Sequence, residues 1–75
     1  MKLYFLKTYS DEEGTAEEAN SAMIYSSKEE LIKICDFFAE VKKHIEKNDT
    51  CHMHLCDNYE GWQKGENFDL EINIE

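Results

Sequence analysis

The sequence predicts a small α+β domain, and three observations support this prediction. The chain has 75 residues, which is the size of one domain (residues 1–75) and too short for two. Residues 28–47 have the apolar spacing of a helix, and the segments on both sides have the character of strands. One helix covers one face of a sheet, so the order ββαββ predicts two layers: an amphipathic helix packed on a four-stranded sheet whose other face is uncovered.

The first two strands are predicted on either side of an acidic connection. Residues 2–9 are apolar and aromatic on both faces, as in a covered strand. Residues 22–25 are predicted as the second strand, and a helical turn at residues 16–19 is the competing interpretation. Residues 11–18 contain a glycine and are predicted as an exposed connection. Their carboxylates are Asp11, Glu12, Glu13, Glu17 and Glu18.

The helix is predicted over residues 28–47. Overlapping Ser-x-x-Glu patterns at residues 26–29 and 27–30 both fit a capping box. Asn48 or Asp49 is expected to end the helix in a left-handed conformation. Apolar residues recur three or four positions apart, which predicts a buried stripe of Leu31, Ile34, Cys35, Phe38, Val41 and Ile45.

Two further strands are predicted at residues 50–56 and 68–75, joined by a loop with two glycines at residues 57–67. Their period-2 alternation separates a core face from a wet face. The core face is predicted to hold Cys51, Met53, Leu55, Phe68, Leu70, Ile72 and Ile74. The uncovered face is predicted to hold His52, His54, Cys56, Asp69, Glu71 and Asn73, beside Tyr4 and Leu6 of the first strand.

The formal net charge of −9 excludes several classes of partner. A nucleic-acid binder needs a basic surface, and anionic membranes repel an acidic one. No apolar run is long enough to span a bilayer. Three cysteines without a secretion signal favour a reducing cytoplasm over a disulfide framework. The expected partner is a basic protein, and no cofactor is expected.

His52 and His54 offer the best candidate chemistry, because an i, i+2 pair on a strand points the same way and can chelate a metal. Cys51 points to the other side, so a four-ligand Cys-His-His-Cys site is not expected. The leading expectation is therefore no metal, with His52 and His54 as the alternative. Cys56 and His54 have no evident third orienting residue, and no catalytic motif is present, so the protein is not expected to be an enzyme.

Two interpretations are possible for Tyr59 and Trp62 in the loop. Trp62 can fold back as a lid on the small core, or both rings can be contact anchors for a partner.

The sequence resembles the Immunity protein 32 family, small bacterial proteins that are predicted to neutralise polymorphic toxins. The resemblance rests on the helix entry Ser27-Lys28-Glu29-Glu30-Leu31, the segment His52-Met53-His54-Leu55-Cys56-Asp57, Trp62, and the segment Asp69-Leu70-Glu71-Ile72. It covers about residues 22–75, and Phe68 stands where the family pattern has proline. It implies a non-catalytic α+β binding protein that is produced in the cytoplasm beside a toxin.

The leading functional hypothesis is thus an immunity protein that inhibits a basic toxin. Its expected partner contacts are His52, His54, Asp57, Tyr59, Trp62, Asp69 and Glu71, and the acidic residues 11–18 are expected to steer the encounter. The alternatives are a metal- or ligand-binding accessory domain using His52 and His54, a phage anti-defence protein, or a homodimer that hides the uncovered sheet face.

Overall fold

One helix and two separate pairs of short strands make up the fold. The computed structural model describes residues 1–9 and 12–75. The elements in order are β1 (Leu3–Leu6), β2 (Ala16–Ala19), α1 (Lys28–Lys47), β3 (His52–His54), a 3-10 helix (Leu55–Asp57) and β4 (Glu71–Asn73). The predicted α+β class is confirmed. The predicted single four-stranded sheet is wrong, because β1 pairs with β2 and β3 pairs with β4 in two independent antiparallel sheets.

Helix α1 has the predicted bounds. Of the two possible capping boxes the second is formed: the backbone N–H of Glu30 donates to Ser27 Oγ at 3.2 Å, and the backbone N–H of Ser27 donates to Glu30 Oε1 at 3.0 Å. The expected left-handed C-cap is wrong, since Asn48 is extended with φ −135°. Instead, Asn48 Nδ2 donates to the backbone oxygen of His44 at 2.8 Å, which satisfies an end carbonyl without a left-handed residue.

The hydrophobic core lies between α1 and the β3–β4 sheet. Ile34, Phe37 and Val41 from the helix are buried with Leu55, and the half-buried residues packed against them are Met53, Tyr59, Leu70 and Ile72. Cys51 is also buried.

The predicted helix stripe is therefore only partly right. Phe37, which is 1% exposed, replaces its neighbour Phe38, which is 44% exposed. Cys35 is exposed rather than buried. Leu31 and Ile45 on the helix are also exposed, although the sequence predicts them to be buried. Phe68 and Ile74, which were predicted on the core face of the last strand, are exposed as well. The physical reason is that α1 is rotated about its axis relative to the prediction. The face with Ile34, Phe37 and Val41 meets the β3–β4 sheet, and the side with Leu31, Cys35 and Phe38 is turned away from it.

The β3–β4 pair is the predicted antiparallel pair, but it is shorter. His52 lies opposite Asn73, Met53 opposite Ile72, and His54 opposite Glu71. The strand ends early because residues from Leu55 onward turn into the 3-10 helix. Since directly opposite residues share a face, Met53 and Ile72 point into the core, and the other two pairs point outward.

The β1–β2 hairpin shows that two predictions for the N-terminal part of the chain are wrong. Residues 22–25 contain no strand, and residues 16–19 are extended rather than a helical turn. Gly14 permits the close return of the chain, because a Cβ there would lie 2.5 Å from Thr8 Oγ1. The predicted acidic connection is thus shortened, with Glu17 and Glu18 on β2. Asp11 lies outside the described residues.

Tyr9 joins the hairpin to the rest of the molecule. Its hydroxyl donates to the backbone oxygen of Asn67 at 2.6 Å and accepts the backbone N–H of Gly65 at 2.7 Å. Its ring packs edge-on against Trp62 at 5.6 Å between ring centroids. One tyrosine therefore ties β1 to the loop that connects β3 and β4.

Candidate functional site

The outer face of the β3–β4 sheet gathers a cluster of polar side chains. The register sets His52 beside Asn73 and His54 beside Glu71. Asp69, just before β4, reaches the same face. The predicted grouping of these residues on one face is confirmed by their hydrogen bonds. Tyr4 and Leu6, which were expected beside them, belong to the separate β1–β2 sheet instead, because the two sheets do not join.

Both histidines are held through their Nδ1 atoms. Nδ1 of His54 lies 2.8 Å from Asp69 Oδ2, and Nδ1 of His52 lies 2.7 Å from Asn73 Oδ1. The amide orientation of Asn73 is consistent with this, because its Nδ2 donates to Glu71 Oε2 at 3.0 Å. A carboxylate or amide oxygen can only accept, so each Nδ1 carries a hydrogen.

The two Nε2 atoms face each other. Nε2 of His52 lies 3.0 Å from Nε2 of His54, and Glu71 Oε1 lies 3.4 Å from the latter. The neutral imidazole has one N–H, so protonation of Nδ1 leaves a lone pair on each Nε2. With both rings neutral, two lone pairs therefore lie 3.0 Å apart with a carboxylate oxygen beside them, and with His54 protonated its Nε2–H donates to Nε2 of His52. In either case the cluster accommodates a positive charge at this place.

The surroundings of His54 favour its charged form. Its pKa is raised above the ordinary 6.5, first by the hydrogen bond to Asp69. Burial acts against this, and the negative charges of Asp69, Glu71 and Asp57 add to it. The side chains of His54 and Asp69 are 16% and 9% exposed, so this pair is well shielded from water.

Cys56 lies at the edge of the cluster. Its backbone N–H donates to Asp69 Oδ1 at 2.9 Å, and its Sγ lies 3.9 Å from Asp57 Oδ1. Burial, followed by the charges of Asp69 and Asp57, raises the pKa of its thiol to about 11. At neutral pH Cys56 is therefore a thiol rather than a nucleophilic thiolate.

The loop aromatics are engaged within the chain. Tyr59 packs on the core, with Lys33 Nζ 5.0 Å from its ring centroid. Trp62 is half-buried, and its Nε1 donates to the backbone oxygen of Phe68 at 2.9 Å. Trp62 thus contacts Tyr9 and the Phe68 backbone, whereas Tyr59 packs against the core. Whether either ring also contacts a partner stays a prediction.

The predicted steering residues that the structure describes belong to the β1–β2 hairpin and its connection. Glu12 pairs with Lys64 at 2.6 Å, whereas Glu13, Glu17 and Glu18 are exposed along or next to the hairpin.

Two contributors were not among the predicted site residues. Asn73 orients His52, and Asn58 Nδ2 donates to the backbone oxygen of His54 at 2.8 Å. The alternation of the last strand predicts Asn73 on the outer face, and this pattern is the sequence signal that could have identified Asn73 as a site residue. Nothing local in the sequence marked Asn58.

No transmembrane helix is found in the described part of the chain, since α1 is not apolar enough over its length. Comparisons with family models, curated proteins and solved structures return no match to this chain. The resemblance to the Immunity protein 32 family therefore stays a prediction.

Proposed function

We propose that this protein is a non-catalytic inhibitor of a basic protein, acting as an immunity protein towards a bacterial toxin. The observation that carries the proposal is the β1–β2 hairpin. Phe5 lies directly opposite Glu17, and Tyr4 lies directly opposite Glu18. Because opposite residues share a face, each face of the hairpin sets an aromatic ring beside a carboxylate.

This pairing suits a cationic side chain from a partner. Tyr4 and Phe5 are 50% and 57% exposed. A lysine or arginine can lie over such a ring while its charge meets the neighbouring carboxylate. The same arrangement on both faces favours a partner that inserts basic side chains around the hairpin.

The apolar surface of the hairpin supports the same conclusion. All four residues of β1 are exposed, and the segment before α1 adds the exposed side chains of Met23, Ile24 and Tyr25. Exposed apolar surface of this extent is typical of interaction sites. β1 pairs only with β2 among the described strands, so its other edge is available for strand addition.

The net charge supports a basic partner. A charge of −9 on 75 residues accelerates encounter with a basic protein and disfavours acidic ones. The polar residues of the outer β3–β4 face and the 3-10 helix offer a second contact region for the same partner: His52, His54, Asp57, Asp69 and Glu71.

The test begins with the partner. Tagged protein captures binders from its native host, and each candidate is purified and mixed with untagged protein. We expect a basic protein that binds in a 1:1 complex and loses its toxic activity as that complex forms. A partner that is acidic, or one that stays fully active when saturated, would contradict the proposal.

Matched variants then locate the contact. The pair Glu17→Lys and Glu18→Lys reverses charge on the hairpin, and Glu40→Lys with Glu46→Lys makes the same change on α1. We expect the hairpin pair to slow association at least about tenfold, with a much smaller effect of the helix pair. Equal slowing by both pairs would remove the hairpin from the interface.

Light scattering after size-exclusion chromatography tests the homodimer. We expect a monomer, since the proposal assigns the exposed hairpin to a different protein. A dimer that is disrupted by Phe5→Ala but not by Phe38→Ala would mean that a second copy of this chain occupies the hairpin.

A further inference from the structure

We propose that His52, His54 and Glu71 form a binding site for a divalent transition-metal ion such as Zn²⁺, on the outer face of the β3–β4 sheet. The ligand atoms are Nε2 of both histidines and one carboxylate oxygen of Glu71, all within 4.8 Å of one another. These residues belong to the second contact region of the proposed function and not to the hairpin, and metal binding by them can be measured without a protein partner.

The spacing of the ligand atoms fits a single ion. Two atoms each bound at about 2.0–2.1 Å are separated by about 2.9 Å when the angle at the metal is 90° and by about 3.4 Å at the tetrahedral angle. The observed separations are 3.0 Å between the two Nε2 atoms and 3.4 Å between Nε2 of His54 and Glu71 Oε1. Both observed values fall within the range set by one coordination sphere.

The hydrogen bonds prepare both rings to act as ligands. Asp69 accepts from Nδ1 of His54, and Asn73 accepts from Nδ1 of His52. Metal-bound histidines commonly donate their second ring nitrogen to a carboxylate or carbonyl oxygen, which fixes the tautomer and the ring direction. Both rings of this protein already have that arrangement, with their Nε2 atoms 3.0 Å apart.

The arrangement also needs a positive charge. Two lone pairs that face each other at 3.0 Å repel unless a cation or a shared proton lies between them. The negative charge of Glu71 stabilises either cation, but its Oε1 also supplies a third donor atom, which a metal ion can bind together with the two nitrogens and a single shared proton cannot. Its second oxygen is oriented by Asn73, so all three ligands have an outer partner.

A second triplet, His54 with Cys56 and Asp69, is geometrically close but chemically less suitable. Both oxygens of Asp69 already accept hydrogen bonds, from the His54 ring and from the backbone N–H of Cys56. Binding there would break these bonds, whereas binding at the first triplet preserves them. Three protein ligands on an exposed face leave at least one coordination position for water.

Titration of untagged, reduced protein with Zn²⁺ tests the site. Calorimetry gives affinity and stoichiometry, and NMR of the imidazole nitrogens identifies the bound atoms. We expect one Zn²⁺ per chain, with the signals of Nε2 of His52 and His54 shifted and the third histidine, His44, unchanged. Absence of saturable binding, or binding that leaves both Nε2 signals unchanged, would overturn the proposal.

Variants separate the site from adventitious binding. Asp69→Asn sets an amide N–H against Nδ1 of His54, which transfers the ring hydrogen to Nε2; we expect affinity to fall about 10–100-fold. His52→Ala and Glu71→Gln remove ligands and should cost at least as much. His44→Ala and Cys56→Ser are the matched controls, and we expect neither to change the affinity.

Two results with the control variants would contradict the proposed site. Equal loss in His44→Ala would indicate general histidine binding, and loss in Cys56→Ser would move the ion to the second triplet. Because His52 and Glu71 are exposed, their variants should keep the fold, and circular dichroism of each variant verifies this.

Discussion

Oδ2 of Asp69 lies 2.8 Å from Nδ1 of His54 and determines which nitrogen of that ring carries the hydrogen. The other oxygen of Asp69 accepts the backbone N–H of Cys56 at 2.9 Å. One carboxylate thus orients the imidazole and anchors the start of the 3-10 helix. Changes at Asp69 should therefore be visible both in ring titration and in stability.

We expect Asp69→Asn to lower the pKa of His54 in the metal-free protein, because the hydrogen bond to a negative carboxylate is the main cause that raises it. NMR titration of the ring signals measures the change. Asp57→Asn is the control, since Asp57 contributes least to the upward shift, and its effect should be smaller. An unchanged pKa in Asp69→Asn would show that the pair does not form in solution.

The same pair predicts a pH dependence of stability. The pKa of His54 is raised on folding, so its contribution is fully present below the ordinary value of 6.5 and is lost as the pH rises through the higher folded value. We expect Asp69→Asn to destabilise the protein more at about pH 5.5 than at about pH 8.5 in urea unfolding. Equal destabilisation at both pH values would contradict the assignment.

Cys56 should react slowly with alkylating agents. A thiol pKa raised from 9.0 to about 11 leaves about a hundredth of the thiolate that an ordinary thiol has at neutral pH. Mass spectrometry after timed iodoacetamide treatment should show modification at the exposed Cys35 well before Cys56. Asp57→Asn should speed modification of Cys56, because it removes one of the charges that raise its pKa.

Two adjacent phenylalanines allow a matched test of the core. Phe37 is 1% exposed, so Phe37→Ala should cost about 3–5 kcal/mol of unfolding free energy. Phe38 is 44% exposed and contacts Phe37 only through a tilted ring pair, so Phe38→Ala should cost about 1 kcal/mol. Urea unfolding compares them. Similar costs, or a larger cost at Phe38, would mean that α1 presents a different face to the sheet.

The capping box offers a second matched pair of neighbours. Ser27→Ala removes the acceptor for the Glu30 N–H and should cost about 1 kcal/mol, whereas Ser26→Ala should have little effect. The hydrogen bond from the backbone N–H of residue 27, followed by that from the Ser27 side chain, lowers the pKa of Glu30 below 4.5. The contribution of the Glu30 carboxylate to stability is therefore present above pH 4.5 and is lost as the pH falls through the lower folded value, so the cost of Glu30→Gln should shrink in acid.

Tyr9→Phe should loosen the hairpin without unfolding the core. The substitution removes one donated and one accepted hydrogen bond, to Asn67 and from Gly65, at about 1 kcal/mol each. Amide hydrogen exchange should accelerate in β1 and β2 while protection in α1 and β3 remains. Uniform acceleration across the chain would show that the hairpin and the core unfold as one unit.

The sequence predicted best those features that depend on neighbouring residues. The bounds of α1 follow from its capping box and its 3.6-residue period, and both signals lie within the helix. The grouping of His52, His54 and Glu71 follows from period-2 alternation in two strands. In both cases the pattern alone contains the physical cause.

Features that depend on distant partners were not predictable in this way. Phe37 and Phe38 are both apolar, and which of them is buried depends on which face of α1 meets the β3–β4 sheet. Likewise, β1 pairs with residues 16–19 rather than with residues 22–25, and the periodicity of β1 contains no information on this choice. The ring tautomers of the two histidines required the positions of Asp69 and Asn73.

The hairpin, whose residues are almost all exposed, has a consequence for how this protein can diversify. Substitutions in β1 and β2 remove little buried area, so they are nearly neutral for folding while they change the surface offered to another molecule. Ile34, Phe37 and Val41 have no such freedom. The hairpin can therefore accumulate substitutions at little cost in stability, while the helix and the second sheet are held by the core they form.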